Sequence, residues 1–315
     1  MDITVENRVL LNGQVVSVRR YRAKKKDGSE YVKTVSISLL SMRRKKTGLG
    51  VIRGNNNLNE VITVANDPRL VHELETDPPS VGDMMEIYGI FCAGETKKLR
   101  IETCPECGHE NHLGSILTYV KILYFKITER APEGQEKISW RQGFRNLLEQ
   151  NEVSNRIKIF GKVSSEPNLF VSTMKNAVCS YYIQTIRNTV TKDGITIEET
   201  DYPFIRALGK IARDNAEHLK KGSFVYIDGS IQENEGEWHK ATCSFCKTEF
   251  EYRDTNESME IVPYSVEYLD NCVFEETEED DSKYVADYSE ENMTESDEAQ
   301  DEEYSFLPEE EYGEE

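Results

Sequence analysis

The segment Asn7-Arg8-Val9-Leu10-Leu11-Asn12-Gly13-Gln14-Val15 returns as Asn155-Arg156-Ile157-Lys158-Ile159-Phe160-Gly161-Lys162-Val163, a strand with a glycine bend written twice. A duplication of this size confines the chain to two similar units, each needing its own core. The copies continue alike. Each has a second β-branched strand (Val35 to Ser41; Val178 to Ile186), a third (Val61 to Ala65; Tyr202 to Leu208) and a helical stretch (Pro68 to Glu75; Lys210 to Leu219). A glycine-led strand of alternating apolar residues follows, Gly82 to Gly89 or Gly222 to Gly229. Then come a Cys-x-x-Cys and a last strand, Leu117 to Ile127 or Ile261 to Leu269. Three strands, a helix and two strands is the order of a small five-stranded barrel with its helix between strands three and four.

The expected domains are therefore 1–130, a connector at 131–154, a second unit at 155–274 and a tail at 275–315. In the connector, Ile138, Trp140, Phe144, Leu147 and Leu148 recur at helical spacing after Pro132 and Gly134, which predicts a short packed helix. The tail has few large apolar residues and a run of like charge, the composition of a disordered segment.

Charge is divided unevenly. The net charge of −20 would argue against a nucleic-acid partner, but 20 of the acids and one lysine lie in 275–315. The other 274 residues carry 37 basic and 38 acidic side chains. Residues 1–53 alone hold 13 Lys or Arg against four acids. Two runs dominate there: Arg19, Arg20, Tyr21, Arg22, Lys24, Lys25 and Lys26 at the first strand turn, and Arg43, Arg44, Lys45, Lys46 and Arg53 after the second strand. Basic clusters interleaved with aromatics suit a nucleic-acid backbone, although hairpin tips are also basic for solvation alone.

No apolar run approaches the roughly 18 residues that would cross a bilayer as a helix. The first residues lack a basic start followed by an apolar stretch, so a cytoplasmic protein with no membrane partner is expected. Seven cysteines then read as thiols or ligands. Cys104-Pro105-Glu106-Cys107-Gly108 has the form of a zinc knuckle, and Cys243-Ser244-Phe245-Cys246-Lys247 repeats it in the second copy. A structural zinc takes four ligands, so the economical expectation is one Zn2+ shared by Cys104, Cys107, Cys243 and Cys246, fixing one barrel against the other. A local site from Cys104, Cys107, His109 and His112, or plain thiols, are the alternatives.

The second copy resembles bacterial single-stranded DNA-binding protein (SSB), of the oligonucleotide-binding (OB) barrel kind. The resemblance rests on Asn155-Arg156-Ile157 to Gly161-Lys162-Val163, on Asp201-Tyr202 to Gly209-Lys210-Ile211-Ala212, and on Leu219-Lys220-Lys221-Gly222-Ser223-Phe224-Val225-Tyr226-Ile227-Asp228-Gly229. The first copy shares Asn7-Arg8-Val9 to Gly13 and the order of elements, but lacks the Gly-Lys-Ile-Ala helix start, as a diverged barrel would. Two barrels and the Cys-x-x-Cys pairs depart from the common form, as in a phage or mobile-element relative. The fold class implied is mainly β: two tandem OB-fold five-stranded barrels with a zinc-ribbon-like insertion and a disordered acidic C-terminal tail.

The resemblance implies a protein that coats exposed single-stranded DNA in replication, recombination or repair. Tyr202 stands where it implies a stacking aromatic, and Trp238 lies near another such position. Arg206 shares the strand face of Phe204, and Arg187 and Lys210 are further phosphate candidates. In that family an acidic tail recruits replication and repair proteins; here Tyr304, Phe306 and Leu307 form an apolar plug within acid. Alternatives of another kind remain: an OB-fold adaptor for a replication or transcription complex, or a single-stranded RNA-binding protein. The oligomeric state is open, a homo-oligomer included. No phosphate-binding Gly-x-x-x-x-Gly-Lys-Ser/Thr, no His-Glu-x-x-His and no Gly-x-Ser-x-Gly occurs, so an enzyme is not expected.

Overall fold

The structure is a computed structural model of the 315-residue chain. It describes residues 6–43, 58–132, 134, 137–149, 155–172, 177–190, 196–233, 238–253, 259–273 and 285–286. The protein is mainly β, with two closed five-stranded barrels.

The first barrel is made of β1 (Asn7–Lys24), β2 (Glu30–Met42), β3 (Leu58–Ala65), β4 (Met84–Thr103) and β5 (Glu110–Glu129). β1 pairs with β2, β2 with β3, β3 in parallel with β5, β5 with β4, and β4 returns to β1. Helix α1 (Pro68–Thr76) lies between β3 and β4. Asp67 caps it by accepting from the N–H groups of Arg69 and Leu70, and Pro68 opens its first turn where no N–H is needed.

Helix α2 (Trp140–Glu149) forms the connector. Leu147 buries its side chain with Leu40, Met42, Leu58 and Met84, so the helix is packed on the first barrel.

The second barrel uses β6 (Asn155–Val163), β8 (Ala177–Val190), β10 (Phe204–Leu208), β11 (Phe224–Glu233) and β14 (Met259–Tyr268), with α3 (Gly209–His218) after its third strand. It closes in the same order, β6–β8–β10–β14–β11–β6, with β10 and β14 parallel. Two short strands extend β8: β7 (Asn168–Val171) and β9 (Thr196–Asp201). β12 (Trp238–Thr242) and β13 (Glu249–Arg253) make a separate hairpin between β11 and β14.

Two glycine pairs show how the duplication closes both barrels. Gly89 and Gly229 each lie at a register shift, where a Cβ would come within 2.3 Å of the Lys121 carbonyl oxygen or 2.5 Å of the Val262 carbonyl oxygen. Any side chain there would push neighbouring strands apart. Gly82 and Gly222 both hold φ 99° in the turn before β4 and β11, a conformation that costs other residues energy.

The barrels share one sheet. β1 and β6, the two copies of the opening strand, pair antiparallel, with Val9 opposite Ile157 and Leu11 opposite Asn155. Val9 and Ile157 are equivalent residues of the repeat, so a pseudo-two-fold axis passes through that pair. The core is correspondingly continuous, from Val9, Leu11 and Ile87 to Ile157, Ile159 and Ile227.

Of the acidic segment 275–315, only Val285 and Ala286 are described. They form β15 (Val285–Ala286), antiparallel to β14 at Val266 and Glu267. They are a local apolar pair in an acidic run, and β14 meets β10 at Ile205 opposite Ile261, which leaves its later residues an edge to pair with.

Candidate nucleic-acid interface and candidate metal centre

Arg19, Arg20, Tyr21, Arg22 and Lys24 lie along the outer end of β1, and Lys25 and Lys26 in the turn beyond it, all exposed. Tyr31, across the ribbon in β2, receives Lys25 Nζ 5.8 Å from its ring centre. Arg43, the residue after β2, is half-buried and donates to Gln232 Oε1 of the second barrel at 2.9 Å. Arg44, Lys45, Lys46 and Arg53 lie outside the described residues, as do Tyr304, Phe306 and Leu307.

In the second barrel Tyr202 is 44% exposed beside β10. Its backbone N–H donates to the Ala93 carbonyl at 2.9 Å, which fixes the residue against the first barrel. Its ring borders a shallow hollow of about 350 Å3, lined also by Lys162, Ser164, Gln184, Lys221 and Gly222. A hollow lined by an exposed tyrosine and two lysines offers a ring for a base and charge for a phosphate, with the Lys162 ammonium lying 5.7 Å from the Phe224 ring centre. Lys162 and Lys221 were not singled out from the sequence as contacts. They fall in the Gly161-Lys162 stretch of β6 and the Lys221-Gly222 turn before β11. Lys210, in the first turn of α3, is exposed.

The other arginine candidates are held by carboxylates. Arg187, 17% exposed at its side chain, bonds Asp201 at 2.5 Å and Glu199 at 2.6 Å. Asp201 is buried and also accepts the Ala93 N–H at 2.9 Å, so the pair ties β4 of one barrel to β8 and β9 of the other. Arg206 bonds the buried Glu260 at 2.9 Å, with the Phe204 ring 5.9 Å away. Trp238 opens β12 opposite Arg253, and its side chain lies outside those described.

The two Cys-x-x-Cys turns have the same backbone. Cys104 N–H donates to the His109 carbonyl and Gly108 N–H to the Cys104 carbonyl, both at 2.9 Å. In the other copy Cys243 N–H donates to Thr248 at 2.9 Å and Lys247 N–H to Cys243 at 3.1 Å. Gly108 (φ 71°) and Lys247 (φ 61°) hold the same left-handed position. The turns meet tip to tip. Cys104 Sγ lies 3.7 Å from Cys246 Sγ and Cys107 Sγ 3.6 Å from Cys243 Sγ, with all four sulfurs within 4.8 Å of one another.

A tetrahedral centre with metal–sulfur bonds of ~2.3 Å has sulfur–sulfur edges of ~3.8 Å, so four thiolates so placed fit one such ion. The shared arrangement is the one found, and His109 is drawn into a different role: its ring stacks on Phe245 at 5.5 Å. Burial pushes the Cys243 thiol up, but backbone N–H groups of Cys246 and Phe245 and the Asn111 amide outweigh it, bringing it down to about 6. Asn111 is buried and spans both turns, its Nδ2 donating to the His109 carbonyl at 3.0 Å and its Oδ1 accepting Ser244 N–H at 2.8 Å.

Two barrels of this topology, joined through their opening strands, define a two-unit OB-fold protein. Residues 154–252 match the model of the Single-strand binding protein family. It is 28% identical over 78 residues to a protein named single-stranded DNA-binding protein in Neisseria meningitidis serogroup A, covering 25% of this chain and 45% of that one. The same identity over 78 residues is found with the protein of that name in Xylella fastidiosa, covering 48% of it. The chain thus spans just under half the length of the curated relatives it matches. Among solved structures, the wild-type single-stranded DNA binding protein from Thermus aquaticus superimposes with a TM-score of 0.51 at 12% identity, over 84% of this chain and 93% of that one. That coverage takes in both barrels and shows a shared fold.

Among the described residues, no helix is long and apolar enough to cross a membrane.

Proposed function

We propose that this protein binds single-stranded DNA without turnover and largely without sequence preference, coating strands exposed in replication, recombination or repair in the cytoplasm. The observation that carries this reading is the exposed Tyr202, which lines one hollow with Lys162 and Lys221 in the segment that matches the family. Arg19 to Lys26 supply positive charge, Arg43 to Arg53 a second basic run, Lys210 a further phosphate contact and Trp238 a second stacking ring. Arg187 and Arg206, held by Asp201 and Glu260, shape the surface. The four cysteines hold one structural Zn2+ that fixes the second copy against the first. The acidic tail, through Tyr304, Phe306 and Leu307, tethers replication or recombination proteins.

Quantitative binding to a fluorescent oligothymidine across a salt series, with duplex and matched RNA as competitors, tests this. Tight, salt-sensitive binding resistant to both competitors is expected, and Tyr202→Ala should weaken it by about 1–3 kcal/mol. Failure to bind any nucleic acid would favour an adaptor. That second reading has one supporting observation: Leu169, Phe170 and Val171 are all exposed on the edge strand β7, an apolar strip suited to a protein. RNA competing as well as DNA would make the protein a single-strand binder of both.

A further inference from the structure

The duplication is broken most plainly after the opening strand. In the second copy β6 ends at Val163, and the four-residue β7 folds back against β8 at Ala177 to Ser180. In the first copy β1 runs on to Lys24 and pairs with β2 rung by rung, from Arg19 opposite Ser36 to Lys24 opposite Glu30. Its turn is closed by Lys25 N–H to the Ser29 carbonyl at 2.8 Å and by Asp27, whose carboxylate accepts from Ser29 at 2.9 and 2.6 Å.

From Arg19 to Tyr31 every residue is exposed except the half-buried Ala23, so this is a two-stranded ribbon standing clear of the core. At ~3.4 Å per residue it projects ~20 Å. Residues 19–33 hold seven Lys or Arg and two acids. By strand alternation Arg20, Arg22 and Lys24 share one face and Arg19 and Tyr21 the other, with Lys33 the extra residue at the register shift. Cations therefore point off both faces.

A single strand lying in a groove needs charge on one side only. A ribbon charged on both faces matches a channel with two negative walls, and the major groove of duplex DNA, ~12 Å wide, admits a two-stranded ribbon. The ribbon has no Asn or Gln, the side chains suited to reading adenine, and its Lys and Arg are suited to phosphates. We propose that the tip of this ribbon, Arg22 to Lys26, grips duplex DNA flanking the bound single strand, which makes the protein a binder of single-strand/duplex junctions. The inference rests on the single-strand reading above and extends it.

The test uses the full chain and three fluorescent probes: an oligothymidine, the same oligothymidine ending in a duplex hairpin, and the blunt hairpin alone. The junction should bind about tenfold or more tighter than the free tail, with a steeper salt dependence. The variant R22Q/K24Q/K25Q/K26Q, altered at exposed positions alone, should lose most of that gain and lower the salt slope on the junction by about one unit per lost contact, while free-tail affinity falls by a clearly smaller factor. Equal affinity of the wild type for junction and free tail overturns the junction proposal and leaves the single-strand reading standing. Loss of free-tail affinity in the variant by as much as junction affinity also overturns it, placing the ribbon on the single strand. No wild-type affinity for the oligothymidine overturns the single-strand reading and this one with it.

Discussion

Asn155 and Ile231 exchange two hydrogen bonds, the Asn155 amide donating to the Ile231 carbonyl at 2.8 Å and the Ile231 N–H donating to Asn155 Oδ1 at 2.9 Å. Asn7 and Phe91 repeat the exchange in the other copy at 2.8 and 2.9 Å. In each barrel the backbone ladder ends two residues earlier, at Gly229 opposite Ile157 and Gly89 opposite Val9. The asparagine side chain carries the ladder on where the opening strand leaves its own barrel to pair with its twin. Asn155 Nδ2 also reaches Ser41 Oγ at 3.0 Å, across the seam.

Asn155→Ala should therefore be costly, because it orphans a buried N–H and a buried carbonyl at about 1–3 kcal/mol each, for a total of about 2–6 kcal/mol. Urea unfolding measures this. A loss of a few tenths would mean that water replaces the amide.

The cysteine cluster should hold one zinc per chain, and both halves should be needed. Metal content after gel filtration is expected to be one ion per chain in the wild type and none in Cys104→Ser or Cys246→Ser. Chelation should lower the melting temperature. Two ions per chain, or retention of the ion when either pair is removed, would rule out the shared centre.

Asp201 joins the barrels by accepting Ala93 N–H while pairing with Arg187. Asp201→Ala leaves Arg187 paired with Glu199 but orphans the buried Ala93 N–H, and should cost about 1–3 kcal/mol, with Asp201→Asn costing less because it still offers an acceptor. Equal stability of wild type and the alanine variant in a urea titration would show that the pair adds nothing to the seam.

Alkali should loosen the same seam. Burial pushes the Cys92 thiol up to about 11 and the neighbouring Tyr119 hydroxyl up to about 12. Both folded values exceed the unfolded ones of about 8.5 and 10, so the unfolded chain gives up protons first and stability falls as pH rises. The contribution is whole below about pH 8.5 and is lost progressively up to about pH 12. Urea midpoints in buffers from neutral to strongly alkaline should fall, and Cys92→Ala should flatten the first part of the fall. A level profile would contradict the assignment.

The repeat, the barrel order and the pairing of the cysteines across copies were legible in the sequence, because each depends on spacing that the second copy repeats. The strand bounds follow apolar alternation, and α1 and α3 begin within one residue of the expected positions. What stayed hidden depends on which distant residue faces which. Arg187 and Arg206 read as phosphate ligands by charge and strand face alone; their carboxylate partners, Asp201 and Glu260, come from other strands and are set by register. Lys162 and Lys221 stood in stretches noted for their glycines, yet their approach to Tyr202 needs the closed barrel. The two short strands of the second copy, β7 and β9, have no counterpart among the described residues of the first.

The pseudo-two-fold axis through Val9 and Ile157 has a consequence for any polymer with a direction. Equivalent residues on the two barrels are turned end for end, so a strand that runs 5′ to 3′ across one surface meets the matching surface in the 3′ to 5′ sense. One continuous strand engages both alike only by doubling back between them, like thread around two posts. Otherwise the surfaces must differ in what they hold, and the ribbon present in one copy and absent from the other is such a difference.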